Sequence, residues 1–297
     1  MSTKKITALS PIPLADVEFD NGFLAQRQQA NREVSIPAVY RQCQKSGRFE
    51  VWKLDVHTET TERPHIFWDS DVAKWLESAA HSLASHPDEQ LEKQADALID
   101  SIAAAQQAAG YLNTYFTAFE AALSWANLRD WHELYCAGHL IEAAVAYRQA
   151  TGKRKLLEVL CRYADYIDTV FGTESGKKRG YPGHQEIELA LVRLFRATGV
   201  QKYLRLAKYF VDERGKKPHY FDEEAVARGD DPANYWAKTH AYTQSDMPVR
   251  EQSVPVGHAV RGMYLYCAMA DLAVEYNDAA LLAACKRIFA HTVGKRM

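Results

Sequence analysis

Apolar side chains recur every three to four residues along much of the chain, and a glycine or asparagine breaks the pattern at intervals. After His139 the run Leu140, Ile141, Ala144, Val145 and Tyr147 resumes past Gly152 as Leu156, Leu157, Leu160, Ala164, Ile167 and Phe171. That spacing keeps one face of a helix apolar. The same plan follows His184 through Ile187, Ala190, Leu191 and Leu194 and, beyond Gly199, through Tyr203, Leu206, Ala207 and Phe210. It follows His258 through Met263, Tyr266, Cys267 and Ala270 and, beyond Asn277, through Leu281, Leu282, Cys285 and Phe289. Gly152 and Gly199 are placed to end helices in the left-handed conformation, and so few residues follow that the next helix must return antiparallel. The pattern predicts an all-α chain of helix hairpins repeating at about 45 residues, either a superhelix or a closed ring.

Upstream the signals are less regular. Residues 1–18 read as an extended, proline-punctuated lead-in, and 19–297 as the helical domain. Phe19 to about Lys45 reads as helical with a break before Pro37, and the stretch up to Trp68 as irregular. Asp69-Ser70-Asp71 offers an N-cap to the helix that opens with Val72, and Asp88 starts another that Gly110 can end. Between the second and third hairpins, 215–252 is a polar excursion rich in His, Tyr, Asp and Pro; a loop that long in a compact domain usually serves a site.

The dipeptide Gly-His stands at the head of each periodic run, as Gly138-His139, Gly183-His184 and Gly257-His258. With 15 glycines and 11 histidines in 297 residues, chance alone gives roughly 0.6 such pairs. In a ring of hairpins the inner helices' N-termini gather at one mouth, so these histidines are expected to converge there. A single histidine at a helix start is most often a cap or a packing residue; three in matching positions favour a shared pocket. Neutral imidazoles donate to and accept from hydroxyls, which suits a carbohydrate.

Other residues leave the picture more open. Glu133, Glu142, Glu186 and Glu188 flank these histidines, and paired carboxylates serve glycoside hydrolysis, although a solvated helix face is the default reading. His132, Cys136 and His139 fall at a spacing able to hold zinc, but polar residues beside a buried cysteine account for them better. Trp68, Trp75, Tyr111, Tyr115, Trp125 and Trp131 could stack on sugar rings, and core packing explains most of them equally well.

Composition narrows the class. Thirty-six basic against 38 acidic residues give a formal charge of −2, with no long run of one sign. A nucleic-acid or anionic-membrane surface as the main partner is therefore not expected. No apolar stretch is long enough to span a bilayer, and Ser10-Pro11-Ile12-Pro13 interrupts what could have been a leader. Five scattered cysteines without a Cys-x-x-Cys pair fit a reducing compartment, and the cytoplasm is the expected location.

Several long blocks resemble glycoside hydrolase family 127, which contains β-L-arabinofuranosidases. They are Pro64-His65-Ile66-Phe67-Trp68-Asp69-Ser70-Asp71, Gly110-Tyr111-Leu112-Asn113, His132-Glu133-Leu134-Tyr135-Cys136-Ala137-Gly138-His139, Gly183-His184-Gln185-Glu186, Pro248-Val249-Arg250-Glu251-Gln252 and Gly257-His258-Ala259-Val260-Arg261. The resemblance runs in order through nearly the whole chain. It implies an (α/α)6 barrel, followed in the family by β-sandwich material. It also implies that His139, His184 and His258 contact a terminal β-L-arabinofuranoside. Family members are retaining enzymes with a zinc-bound cysteine thiolate as nucleophile and a glutamate as acid/base.

The resemblance places that glutamate, the zinc ligands and that cysteine beyond Met297, and none of the five cysteines here matches them. No catalytic residue, and no metal ligand, is therefore expected in this chain; zinc is expected only in full-length members. Ala109 stands where the family usually has Asp. The expected architecture is an incomplete (α/α)6 barrel, inactive alone, with apolar helix flanks at an open edge. Those flanks would aggregate or be covered in a homo-oligomer or by a complementing chain. The alternatives are a non-catalytic sugar-binding remnant and a subunit completed by a second chain.

Overall fold

The computed structural model describes residues 12–54 and 63–296. Most of the lead-in, 1–11, lies outside them. Apart from one isolated bridge between Phe171 and Lys178, the described residues form helices, turns and loops, so the all-α expectation holds. Two compact units can be told apart. The described residues of one are 12–54, 63–122 and 139–166, and of the other 123–138 and 167–296.

The first unit opens with α1 (Gly22–Ala30), a wide turn over Asn31–Ser35 and α2 (Ile36–Lys45), which takes Pro37 in its first turn. There the missing N–H of proline is harmless. The helices α3 (Trp68–Ser85) and α4 (Glu89–Ala105) follow. The α3 residues Val72, Trp75, Leu76, Ala79 and Leu83 are buried, and the Trp75 indole donates to Ile36 O at 3.1 Å. That bond lets a polar edge sit inside an apolar cluster with Tyr40 and Phe49.

Two local expectations change here. Asp88 caps α4 as foreseen, accepting from Gln90 N and Leu91 N, but α4 ends at Ala105, well before Gly110. Asp69 does not cap α3. It is buried in the first turn and accepts from Thr114 N at 2.9 Å and Thr114 Oγ1 at 2.5 Å, and so ties α3 to α5 (Thr114–Phe119). Burial pushes its carboxyl up to about 6 against the pull of these two bonds.

Helices α6 (Glu133–Thr151) and α7 (Lys155–Val170) are joined through Gly152 at φ +76°. The second unit then holds α8 (Ile187–Thr198), α9 (Gln201–Glu213), α10 (Tyr220–Arg228), α11 (Ala259–Glu275) and α12 (Ala279–Lys295). Gly199 at φ +75° closes α8, and Asn277 at φ +51° stands between α11 and α12, as the periodicity required. Asp278 caps α12 by accepting from Leu281 N at 2.9 Å. Helix α8 packs on α9, and α11 packs on α8, α9 and α12. The polar excursion 215–252 carries α10 and two 3-10 turns, Pro232–Asn234 and His240–Thr243. No helix among the described residues is long and apolar enough to cross a membrane.

Candidate functional site

The site grows from two turns of the second unit. Before α8, Gly183 donates its N–H to Leu128 O at 2.8 Å. The chain passes so close to residue 129 that a Cβ on Gly183 would collide with Arg129 O and stand 2.6 Å from its carbonyl carbon. Only glycine leaves that space, and His184 is thereby fixed one residue on. The buried ion pair between Arg214 Nη2 and Glu188 Oε1, 3.0 Å, brackets the turn from behind. Arg214 also donates to Pro182 O at 2.7 Å and Thr243 O at 2.9 Å, while Glu188 Oε2 accepts from Glu186 N at 3.1 Å. These bonds engage both terminal nitrogens of Arg214 and both oxygens of Glu188, which offsets much of the cost of burying the pair, while Arg214 Nε finds no partner among the described residues.

The second turn precedes α11. Gly257 has φ +70°, and a Cβ there would collide with Ala241 O and stand 2.6 Å from Tyr242 O. His258 N donates to Tyr242 O at 3.1 Å. Both turns hang on residues 243 and 244. Gln185 Nε2 donates to Thr243 O and Gln244 Oε1, and Gln244 Nε2 donates to Val256 O and His258 O.

This framework brings His184 and His258 together, with ring centroids 5.8 Å apart. Tyr135 lies 4.3 Å and His132 5.7 Å from His184, Tyr264 lies 6.1 Å from it, and Tyr242 lies 5.6 Å from His258. Burial pushes the His184 imidazole down to about 2, with the Arg261 cation and the neighbouring histidines adding to it. Burial and Arg261 also lower His258. Both rings are neutral at pH 7, and their hydrogen bonds fix different tautomers. His184 Nδ1 lies 2.8 Å from Gln185 O, which can only accept, so Nδ1 carries the proton and Nε2 is an acceptor. His258 Nδ1 accepts from Arg261 N at 3.4 Å as the N-cap of α11, so its Nε2 carries the proton and donates.

His139 belongs to the other unit. It does not head a helix: it lies buried in the second turn of α6, where burial, with Lys74 adding, pushes it down to about 3. Gly138 is likewise helical. Its bare Cα admits the start of α8, since a Cβ would stand 2.6 Å from Glu186 Cγ and 2.8 Å from Ile187 N.

The four glutamates are not on a solvated face. Glu133, Glu142, Glu186 and Glu188 are all buried, and Glu133 Oε2 accepts from Trp125 N at 2.7 Å. Of the aromatic residues singled out in the sequence, Trp75, Tyr111 and Trp125 are core.

The five cysteines span the range of burial, with Cys161 and Cys285 half-buried and Cys267 exposed. Cys43 and Cys136 are buried, and burial pushes Cys285 up to about 11. Among the described residues, the one group of three His, Cys, Asp or Glu side chains close enough to hold a metal ion is His219, Asp222 and His240, with no cysteine. In that group the two rings stack at 3.5 Å, His219 Nε2 meets Ser245 O at 2.9 Å and His240 Nε2 meets Asp222 Oδ1 at 3.0 Å. These side chains brace the excursion. They do not fit the thiolate–zinc centre that the family resemblance implies.

Known proteins resemble the chain in sequence and in fold. A crystal structure of a GH127 β-L-arabinofuranosidase from Geobacillus stearothermophilus T6 superimposes with a TM-score of 0.89 at 45% identity, covering 93% of this chain and 45% of that one. A second GH127 β-arabinofuranosidase structure gives 0.84 at 36% identity, covering 95% and 43%. The non-reducing end β-L-arabinofuranosidase of Bifidobacterium longum subsp. longum is 41% identical over 242 residues, 78% of this chain and 36% of the relative. The chain thus spans less than half the length of each. The family model for the β-L-arabinofuranosidase GH127 catalytic domain matches residues 16–297, and the chain belongs to that family.

Proposed function

We propose that this chain supplies sugar recognition for a β-L-arabinofuranosidase catalytic domain, with His184 and His258 contacting a terminal β-L-arabinofuranose. The observation that carries the reading is the pairing of an acceptor, His184 Nε2, with a donor, His258 Nε2, on adjacent neutral rings. A sugar hydroxyl both donates and accepts, so such a pair suits one hydroxyl or two neighbouring ones. The same role for His139 rests on the family resemblance. Calorimetry with methyl β-L-arabinofuranoside tests the reading. The chain should bind it, and His184→Ala should lose about tenfold or more in affinity, as expected for hydrogen bonds worth more than ~1 kcal/mol. Failure of the unaltered chain to bind the glycoside would refute it.

We assign no nucleophile to this chain. Raised by burial, the Cys285 thiol carries little thiolate at neutral pH, and among the described residues no cysteine joins a group able to hold a metal. The pure chain is therefore expected not to hydrolyse aryl β-L-arabinofuranosides. Turnover that a chelator abolishes would contradict this. The five free cysteines support a cytoplasmic setting.

A second reading has its own observation. Val260 and Met263 on α11 and Phe289 and Val293 on α12 are exposed, Phe289 by 69%. Apolar helix faces of this kind fit a further stretch of polypeptide, in the same or another chain, that completes the domain. Co-expression with the region of a relative that lies beyond the matched part should yield a stable complex and raise activity if this holds. Lack of association would count against it.

A further inference from the structure

We propose that the exposed Trp236 ring, set edge-on against Tyr242, is a stacking platform for the residue to which the recognised furanose is attached, so that this face selects for a second sugar ring. The proposal rests on the sugar-binding reading of His184 and His258. Trp236 is 59% exposed, yet it is held on several sides. Its indole N–H meets Asp130 Oδ1 at 3.2 Å, and its ring lies 5.6 Å from Tyr235 and 4.7 Å from Tyr242. Asp130 is in turn fixed by Arg129 Nη2 at 2.8 Å, and the Arg129 guanidinium lies 4.3 Å over the Tyr235 ring. From beyond, His240 stacks on Tyr235 at 6.0 Å and on His219 at 3.5 Å. A tryptophan without a task on a polar excursion has no need of so much bracing.

The platform is also continuous with the histidine pair. Trp236 contacts Tyr242, Tyr242 contacts His258, and His258 contacts His184. Gly257 lets the turn before α11 lie against Tyr242, and His258 N donates to Tyr242 O. The Arg261 guanidinium lies 4.7 Å over the Tyr242 ring. This cation–π contact helps hold that ring in place.

Calorimetry with two probes, methyl β-L-arabinofuranoside and a disaccharide carrying a second arabinofuranose on its reducing side, tests the proposal on the full chain. The disaccharide should bind about fivefold tighter, the scale of one ring stack. Trp236→Ala should remove that preference while leaving the monosaccharide affinity unchanged, and Trp236→Phe should restore most of it. A preference that survives Trp236→Ala overturns the platform alone. If the unaltered chain binds neither probe, the sugar-binding reading falls and the platform with it. Loss of both affinities in Trp236→Ala, with the melting temperature unchanged, also overturns it, because the side chain would then belong to the furanose site.

Discussion

Gly183-His184 and Gly138-His139 share a dipeptide, and the structure uses it differently in each. In the turn before α8, glycine is needed because a neighbouring backbone occupies the space of its side chain, and the following residues are anchored by the Arg214–Glu188 ion pair and by Gln185 bonding to Thr243 O and Gln244 Oε1. In α6 the glycine keeps ordinary helical geometry, thins the helix at one point to admit the start of α8, and the histidine follows by helical spacing alone. A recurring dipeptide can therefore mark a recurring need for close approach without marking a recurring element boundary. The turn depends on distant partners, and the helix carries its own positioning.

The largest expected effect strikes the turn's bracket. Arg214→Met leaves Glu188 buried without its partner, and differential scanning calorimetry should show a loss of about 3–5 kcal/mol. An equal loss from Gln149→Met, at an exposed position near the end of α6, would erase the contrast between turn and helix.

Next comes the glycine itself. Gly183→Ala forces backbone to move from backbone and should cost about 3 kcal/mol or more in the same measurement. Gly152→Ala, where φ is +76° but no atom lies within 4 Å of the added Cβ, should cost only about 1 kcal/mol. Gly183 is not among the glycines with positive φ, so a loss there no larger than at Gly152 would show that the close approach relaxes at little cost.

The comparison also sharpens through pH. His184 near 2, His139 near 3 and His219 near 4 all lie below the ordinary 6.5. Below about 6.5 the unfolded chain binds protons that the folded chain refuses, so their contribution is fully present above 6.5 and is lost as pH falls toward the folded values. Asp69, raised to about 6, works the other way between about 6 and its ordinary 3.8. Melting temperature should fall as pH drops from about 6.5 toward 4, and His219→Gln should flatten part of that fall. A melting temperature constant over the range would contradict the burial of these rings.

Least of all should change in the sugar affinity itself. With both rings lowered from the ordinary 6.5, binding should stay level as pH falls to that value, and calorimetry at several pH values would expose an unlowered imidazole as a step there.

What was legible in the sequence was local. The helix hairpins follow from apolar spacing, and Gly152, Gly199 and Asn277 adopt the left-handed conformation that their place after a periodic run requires. The site was legible only in part. His184 and His258 meet as expected, because each follows a glycine turn beside a helix start. The burial of Glu188 and Glu133 was hidden, since their partners Arg214 and the Trp125 amide come from other elements. Asp69 looked like a cap because a cap and a long-range acceptor use the same side chain. Trp236, Tyr242 and the stacked His219–His240 pair sat in a stretch marked only by its length and polarity. The one hint there was a concentration of aromatic and histidine residues unusual for a solvated loop.

The central claim is that the two glycine turns hold His184 and His258 as one furanose-binding pair. The most direct measurement is the imidazole NMR spectrum of the chain titrated with methyl β-L-arabinofuranoside, assigned by His184→Ala and His258→Ala. The account predicts that both resonances move together with a single affinity while exposed His81 does not. Movement of neither, or of one alone, would contradict it.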